Sequence, residues 1–310
     1  MTFVEASSRY PWLQEAKFEA EQAQIESLRA RVGTTCVTDD DVSDLMNAVR
    51  EVPGTETWLK PIVDADPDDL FAAGLLAERM LVIAWDRRSH ARGKDLTPEQ
   101  VRGFRETLLE LENFLHDRIA HHPKYVPFWN ARITSGMGME VGRSEITRRY
   151  RRLEMLSPDF YHAAFRHMIA LLPKWYGTYE DSLAFCRAKA ASAPMGSLMK
   201  ALPVDFYIEQ LGWEPNDEMI AKLKTPEVHA ELVEASQGSV LAPGHRQCPD
   251  TLQIHSNLAL LLGRGGWWED AWPHFRALGP YPVKAGWAIL QNPEQAYQTY
   301  FDAAQKAVRA

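Results

Sequence analysis

The chain of 310 residues lacks most of the features that announce a particular chemistry. Its three cysteines, Cys36, Cys186 and Cys248, lie far apart and form no CxxC pair. That excludes a disulfide framework and predicts buried or free thiols in a reducing compartment. No apolar run reaches the roughly 18 residues of a transmembrane helix, so none is expected. The opening MTFVEASSRYPWLQEA has no basic segment followed by a long apolar stretch, which argues against a signal peptide and predicts a cytoplasmic protein. HExxH and GxSxG are absent. The glycines of GRGG at 263–266 fit neither GxxxxGKS nor a GxGxxG placed after a strand. Strand-like alternation is sparse, and no βαβ series can be traced.

What is present is ordinary globular composition: 45% apolar and 25% charged, too hydrophobic for a disordered chain. Thirty-four basic residues against 42 acidic ones give a net charge of -8. Residues 39 to 69 hold ten acids and two bases, which accounts for all of it. General nucleic-acid binding is therefore disfavoured. The acidic stretch reads either as a soluble surface or as a steering face for a basic partner, including an arginine helix of another subunit.

The dominant periodicity is helical. Residues 11 to 31 carry apolar positions at Leu13, Ala16, Ala20, Ala23 and Leu28. Asp39 to Asp41 are placed to cap a helix through Val49, broken by Pro53 and Gly54. DPDD opens a helix over 67 to 88, with Pro67 in its first turn. SHARGKDLTPEQ, residues 89 to 100, is a polar connection whose Thr97-Pro98-Glu99 resembles a cap. A helix over 98 to 120 follows, with Phe104, Leu108, Leu111, Leu115 and Ile119 on one stripe. Pro123, Pro158 and Pro194 are spaced by 35 and 36 residues, with two helical segments per interval. That is the pattern of a helix-turn-helix repeat, in which each unit buries only one face and stacking completes the core.

Two segments share a further pattern. PKWYGTYEDSLAFCRAKAASAP has Gly177 at its turn, Ser182 at the helix crossing and Pro194 at its end. Near the C-terminus, Gly266, Ala271 and Phe275 fall in corresponding places. These features resemble the tetratricopeptide repeat family, although its usual first-helix tryptophan is missing. Residues 70 to 190 also resemble the DUF4034 family of uncharacterised bacterial helical-repeat proteins. The residues that carry the resemblance are AWDRR, PKYVPFWNARI and LSPDFYHAAFRHMIALLPKWYGTYEDSLAF. The resemblance implies a helical fold and brings no catalytic residues with it.

The densest polar and aromatic region runs from residue 113 to 181. Tyr125, Trp129, Arg166 and Lys174 read as a peptide groove, with aromatic faces for contact and a cation for a carboxylate, or else as helix packing. RSEITRRYRRLE places Arg148 and Arg152 four residues apart, as an acidic-peptide or phosphate clamp or as a solvated helix with local ion pairs. His162 and His167 are the acid/base residues of an enzyme alternative, a helical hydrolase or transferase. They diverge by about 140° on an ideal helix and are no local pair of metal ligands. His245, Cys248 and His255 offer zinc-type donors at H-x2-C and C-x6-H spacing, against a reading as loop cap and core.

Together these observations predict an all-α protein of antiparallel helix pairs forming a tetratricopeptide-repeat-like superhelix. The expected organisation is an N-terminal helical region over 1–95, a central repeat body over 98–200 and a C-terminal repeat-like and capping region over 201–310. The expected function is noncatalytic binding of a protein or peptide, an acidic one where Arg148 and Arg152 make the contact, with no cofactor and no membrane insertion. Self-association as a structural assembly subunit is a further alternative.

Overall fold

In the computed structural model, the described residues are 2–89 and 95–309. All sixteen α-helices lie among them, and the only β-type pairing there is an isolated bridge between Val4 and Val283. The fold is all-α with neighbouring helices packed on one another. No helix among the described residues is long and apolar enough to cross a membrane. Within the polar connection expected at 89–100, residues 90–94 lie outside the described residues.

Contacts divide the chain into two compact units, residues 11–170 and residues 1–10 with 171–310. The division at 170 differs from the boundaries expected near 95 and 200. The helices after residue 98 continue the packing begun before it, so no break falls there.

The first unit comprises α1 (Pro11–Glu21), α2 (Ile25–Thr34), α3 (Asp39–Arg50), α4 (Thr55–Ala65), α5 (Leu70–Arg88), α6 (Pro98–His121), α7 (Val126–Gly138), α8 (Arg143–Leu156) and α9 (Tyr161–Ala170). The helices α1, α3, α5, α7 and α9 pack each on the next, while α2, α4, α6 and α8 lie against them. This is a stacked array of helix pairs, in which each pair covers the apolar face of its neighbour. In the middle, α5 is buried nearly all round, from Ala72 through Arg79 and again at Leu81 and Ala84.

Several local signals act as the sequence suggests, with shifts. The Thr97 side chain caps α6 in a reciprocal box with Gln100. At α3 the cap is Thr38, with Asp41 completing the box, so the aspartates occupy the first turn rather than the cap. At α5 the cap is Asp69, whose carboxylate accepts the Ala72 N–H, and Pro67 stays outside the helix. The single helix expected over 11 to 31 is two, because Ala23 takes a left-handed conformation (φ 54°) and breaks it. The helix α4 is not expected from the sequence because Pro61 stands inside it, although Leu59 and Val63 give it a buried face.

The second unit comprises α10 (Tyr179–Ser192), α11 (Leu202–Trp213), α12 (Asp217–Leu223), α13 (Pro226–Gly238), α14 (Pro249–Gly265), α15 (Trp268–Leu278) and α16 (Pro293–Ala307). Three helices, α11 to α13, open the region expected over 201–310 to be repeat-like and capping. Its hub is α14, which packs on α11, α12, α13, α15 and α16. Phe275, Trp287 and Tyr297 form a fully buried aromatic core, with Tyr297 5.2 Å from Phe275 and 5.1 Å from Trp287. The tryptophans of the α14–α15 turn also join helices. Trp267 stacks on His229 at 3.9 Å and donates to the Leu223 carbonyl.

Gly177 occupies the turn before α10, where a Cβ would sit 2.2 Å from the Leu171 carbonyl oxygen. That oxygen is backbone and cannot swing away. Gly177→Ala is therefore expected to lower stability by about 1–3 kcal/mol. Gly33→Ala, where nothing lies within 4 Å of the added Cβ, should leave it unchanged or slightly raised. Urea midpoints of the two variants check this, and a neutral Gly177→Ala would contradict the close approach.

Candidate functional site

The residues expected to form a peptide groove are divided between the two units. Tyr125, Trp129 and Arg166 belong to the first unit and Lys174 to the second. Tyr125 sits at the start of α7 with its ring edge-on to Phe128 at 4.7 Å. Gly74 of α5 leaves the space it occupies, since a Cβ there would lie 3.3 Å from the hydroxyl. Trp129 is buried and its Nε1 donates to the Pro123 carbonyl at 2.9 Å. Lys174 pairs with Glu209 at 2.8 Å and lies over the Trp213 ring.

Arg166 is part of a buried charge network. Its Nη1 donates to the Asn130 carbonyl at 3.1 Å and lies 3.5 Å from Glu78, which also takes Arg50 at 2.8 Å. Burial raises the Glu78 carboxyl, but Arg166 and Arg50 together hold it below its usual range. Trp129 and Arg166 fill seams where helices meet, whereas part-exposed Tyr125 lines an open cavity of about 410 Å³ with Phe71 and Lys124.

The arginine helix α8 has a similar character. Arg149 is buried and donates to Glu112, Glu145 and the Arg132 carbonyl. Arg148 is exposed, but Glu145 holds it through two bonds of 2.7 and 2.8 Å. Arg152 is exposed. Arg148 and Arg152 thus form no bare anion clamp. The acidic stretch is likewise bound up within its own unit. Asp40 accepts the Tyr161 and His162 N–H groups at the start of α9, Glu56 pairs with Arg79, and Asp69 pairs with Arg29.

His162 lies 3.2 Å from Asp44 and 3.9 Å from Asp40, so its imidazole faces two carboxylates. His167 stacks on Tyr150 at 4.3 Å with its Nε2 3.3 Å from Thr147 Oγ1. It is 4% exposed, a dry contact between α8 and α9 rather than a group poised in a pocket. Burial, helped by Arg143 and Arg151, pushes its pKa down to about 3. In the second unit His245 directs one ring nitrogen to the Gly196 carbonyl and the other to Thr251. His255 turns to His274 instead. Among the described residues the donor atoms of His245, Cys248 and His255 do not gather into a ligand set.

A broad concavity lies in the second unit, between α10 and α13. It holds about 760 Å³ and is open to solvent. Both helices pack on α11 and on the tight turn Leu198–Ala201, which together form the floor. Small residues keep the walls apart: Ala190 and Ala191 on α10, and Ala230, Ala235 and Gly238 on α13. One end is tied by the Gly196 N–H to the Gly238 carbonyl. Towards the other, Arg187 crosses to Glu231 with bonds of 2.7 and 2.8 Å, and Tyr207 donates to the same carboxylate. Met195 stands 65% exposed at the rim.

The lining of this groove carries three carboxylates, Glu227, Glu231 and Glu234, against two cations, Arg187 and Lys200. Glu231 neutralises Arg187, and the Lys200 ammonium donates to the Ala190 carbonyl. Glu227 and Glu234 remain as exposed carboxylates with no ion-pair partner among the described residues. Sequence reasoning missed them because it placed no helix over 226–238. The signal was there: Thr225-Pro226-Glu227 repeats the Thr97-Pro98-Glu99 start, and the Thr225 side chain does cap α13. Comparison of the chain with family models, with curated proteins and with solved structures finds no match.

The neutral, buried His167 makes stability depend on pH. Its folded pKa is about 3 against 6.5 for the free group, so the unfolded chain binds the extra proton. Its contribution is complete above pH 6.5 and lost as pH falls towards the folded value. Lowering the pH from 7 to 5 should cost about 2 kcal/mol through this residue. Urea titrations at the two pH values check it. His167→Gln should flatten that part of the profile, and an unaltered slope would show that the imidazole is not held neutral.

Proposed function

We propose that the chain is a noncatalytic protein-binding helical module, whose α10–α13 groove receives a short apolar segment carrying a basic residue. One observation supports this reading above the others: the groove has a floor and walls of small apolar side chains, and the unpaired carboxylates Glu227 and Glu234 sit at its edge. From Glu231 to Gly238 the wall spans eight residues, about 10 Å at the helical rise, which suits about two turns of an amphipathic helix. Exposed Met195 adds a soft, adaptable contact at the rim. Alanines and glycine let a partner backbone approach closely, while the Arg187–Glu231 pair limits how far it extends.

The charge favours a basic segment over the acidic peptide expected from α8. There Arg148 is already held by Glu145, whereas the groove keeps two carboxylates in water. The enzyme alternative draws less support. His167 is packed and neutral, and the imidazole of His162 is taken up by Asp44 and Asp40.

Fluorescence polarisation can test the groove with a labelled amphipathic peptide of leucine, alanine and lysine, set against its counterpart with glutamate for lysine. The lysine peptide should bind the more tightly. Charge reversal at Glu227→Lys and Glu234→Lys together should weaken it by about tenfold, the scale of two rim charges. Ala191→Trp fills an exposed wall position without touching the core and should abolish binding of both peptides. Equal affinity for the two peptides, or undiminished binding by Ala191→Trp, would remove the groove from consideration.

A further inference from the structure

The second unit also holds a buried chain of polar groups that the groove does not use. His274 of α15 is fully buried. Its Nε2 lies 3.0 Å from the Ser236 hydroxyl, and its Nδ1 lies 2.8 Å from Nδ1 of His255 on α14. A contact between two Nδ1 atoms needs a hydrogen on one and a lone pair on the other. Burial keeps both rings neutral, with His255 pushed down to about 4 and His274 also held well below its usual value.

The direction of the chain follows from Ser236. That hydroxyl is buried, and His274 is its one side-chain partner among the described residues. If His274 donated to Ser236, the hydroxyl hydrogen would be left without an acceptor in a dry site, at a cost typical of an unmade buried bond. The satisfied arrangement runs the other way. Ser236 O–H donates to His274 Nε2, His274 Nδ1–H donates to His255 Nδ1, and His255 carries its own hydrogen on Nε2.

His255 is 3% exposed, yet its Nε2 is not among the enclosed polar atoms that lack a partner. With Nδ1 turned to His274, Nε2 is the ring nitrogen left for the open space that His255 lines. This is a cavity of about 360 Å³ formed by Arg9, Tyr10, Gln247, Leu252, His255 and Ala277. Arg9 Nη1 donates to the Leu278 carbonyl at 2.7 Å, which fixes the guanidinium at the cavity and leaves further N–H groups for a ligand. Tyr10 is pinned by its hydroxyl bond to the Cys248 carbonyl, so its ring serves as wall. The lining contains one positive charge and no carboxylate, with Leu252 and Ala277 supplying apolar surface.

We propose that this cavity binds a small organic carboxylate, its oxygens taken by the Arg9 guanidinium and the His255 Nε2–H, and its apolar body against Leu252, Ala277 and the Tyr10 ring. A single guanidinium matches the charge of a carboxylate and its planar shape. The buried Ser236–His274 pair acts as a positioning device, because it holds His255 in the tautomer that donates.

The test uses the full chain labelled with 15N-histidine, titrated at neutral pH with propionate, benzoate or inorganic phosphate. A saturable shift of His255 Nε2 with propionate or benzoate is the expected result. Arg9→Gln lies on the exposed rim, away from the core, and should weaken carboxylate binding by about tenfold or more, the loss of a charge-assisted bond. Ser236→Ala should redistribute the hydrogen between the two His255 nitrogens in the 15N spectrum, a change that a purely packing role for Ser236 would not produce. The proposal is overturned if neither carboxylate gives a saturable shift, if phosphate binds more tightly than both, or if Arg9→Gln binds as well as the unaltered chain.

Discussion

Glu78 and Glu112 are carboxylates placed inside an apolar helix array, and each is held there by arginines from two other helices. Glu78 of α5 takes Arg50 from α3 and Arg166 from α9. Glu112 of α6 takes Arg132 from α7 and Arg149 from α8. A buried charge that loses one of its partners costs about 3–5 kcal/mol, so these contacts restrict how successive helix pairs can slide. Arg79 adds to the first cluster by reaching Glu56 and the Arg50 carbonyl. Apolar packing supplies the bulk of the driving force, but it is tolerant of register. The ion pairs are not.

This constraint accounts for the fate of the charged segment at 39–69. Its acids look like a surface in the sequence, yet many serve their own unit as helix caps and arginine partners. Arg166 and Arg149 are drawn inward for the same reason. A guanidinium has enough donors to satisfy a carboxylate and a backbone carbonyl at once, so it can be buried where a lysine would leave bonds unmade.

The second unit is organised differently. Its hub α14 is packed on by five helices, and its core is aromatic rather than ionic. Two features there remain open to ligands for opposite reasons. The α10–α13 groove is open because alanine and glycine line walls that rest on a shared floor. The cavity at His255 is open because the polar chain behind it is satisfied from within, which leaves one imidazole nitrogen directed outward. Small side chains make the first space, and hydrogen-bond accounting leaves the second group unspoken for.

Much of the helical class was legible before any fold was considered. The stripe from Phe104 to Ile119 is buried where its period places it, and Thr97 caps the helix it introduces. The prolines at 123 and 158 each fall in the turn before a helix of the array. Such features are local: they depend on spacing along one helix or on a side chain reaching its own backbone. The break at Ala23 and the helix starting at Pro226 were harder, since apolar spacing either continued across the break or was weak. What the sequence by itself determined was the helices and most of their inward faces. Only the tertiary structure decided that Trp129 and Arg166 pack instead of bind, that His255 meets His274 rather than a metal-ligand set with Cys248, and that Glu227 and Glu234 border a groove. Each of those outcomes depends on residues from different helices meeting in space, and no periodicity within a single helix encodes that meeting.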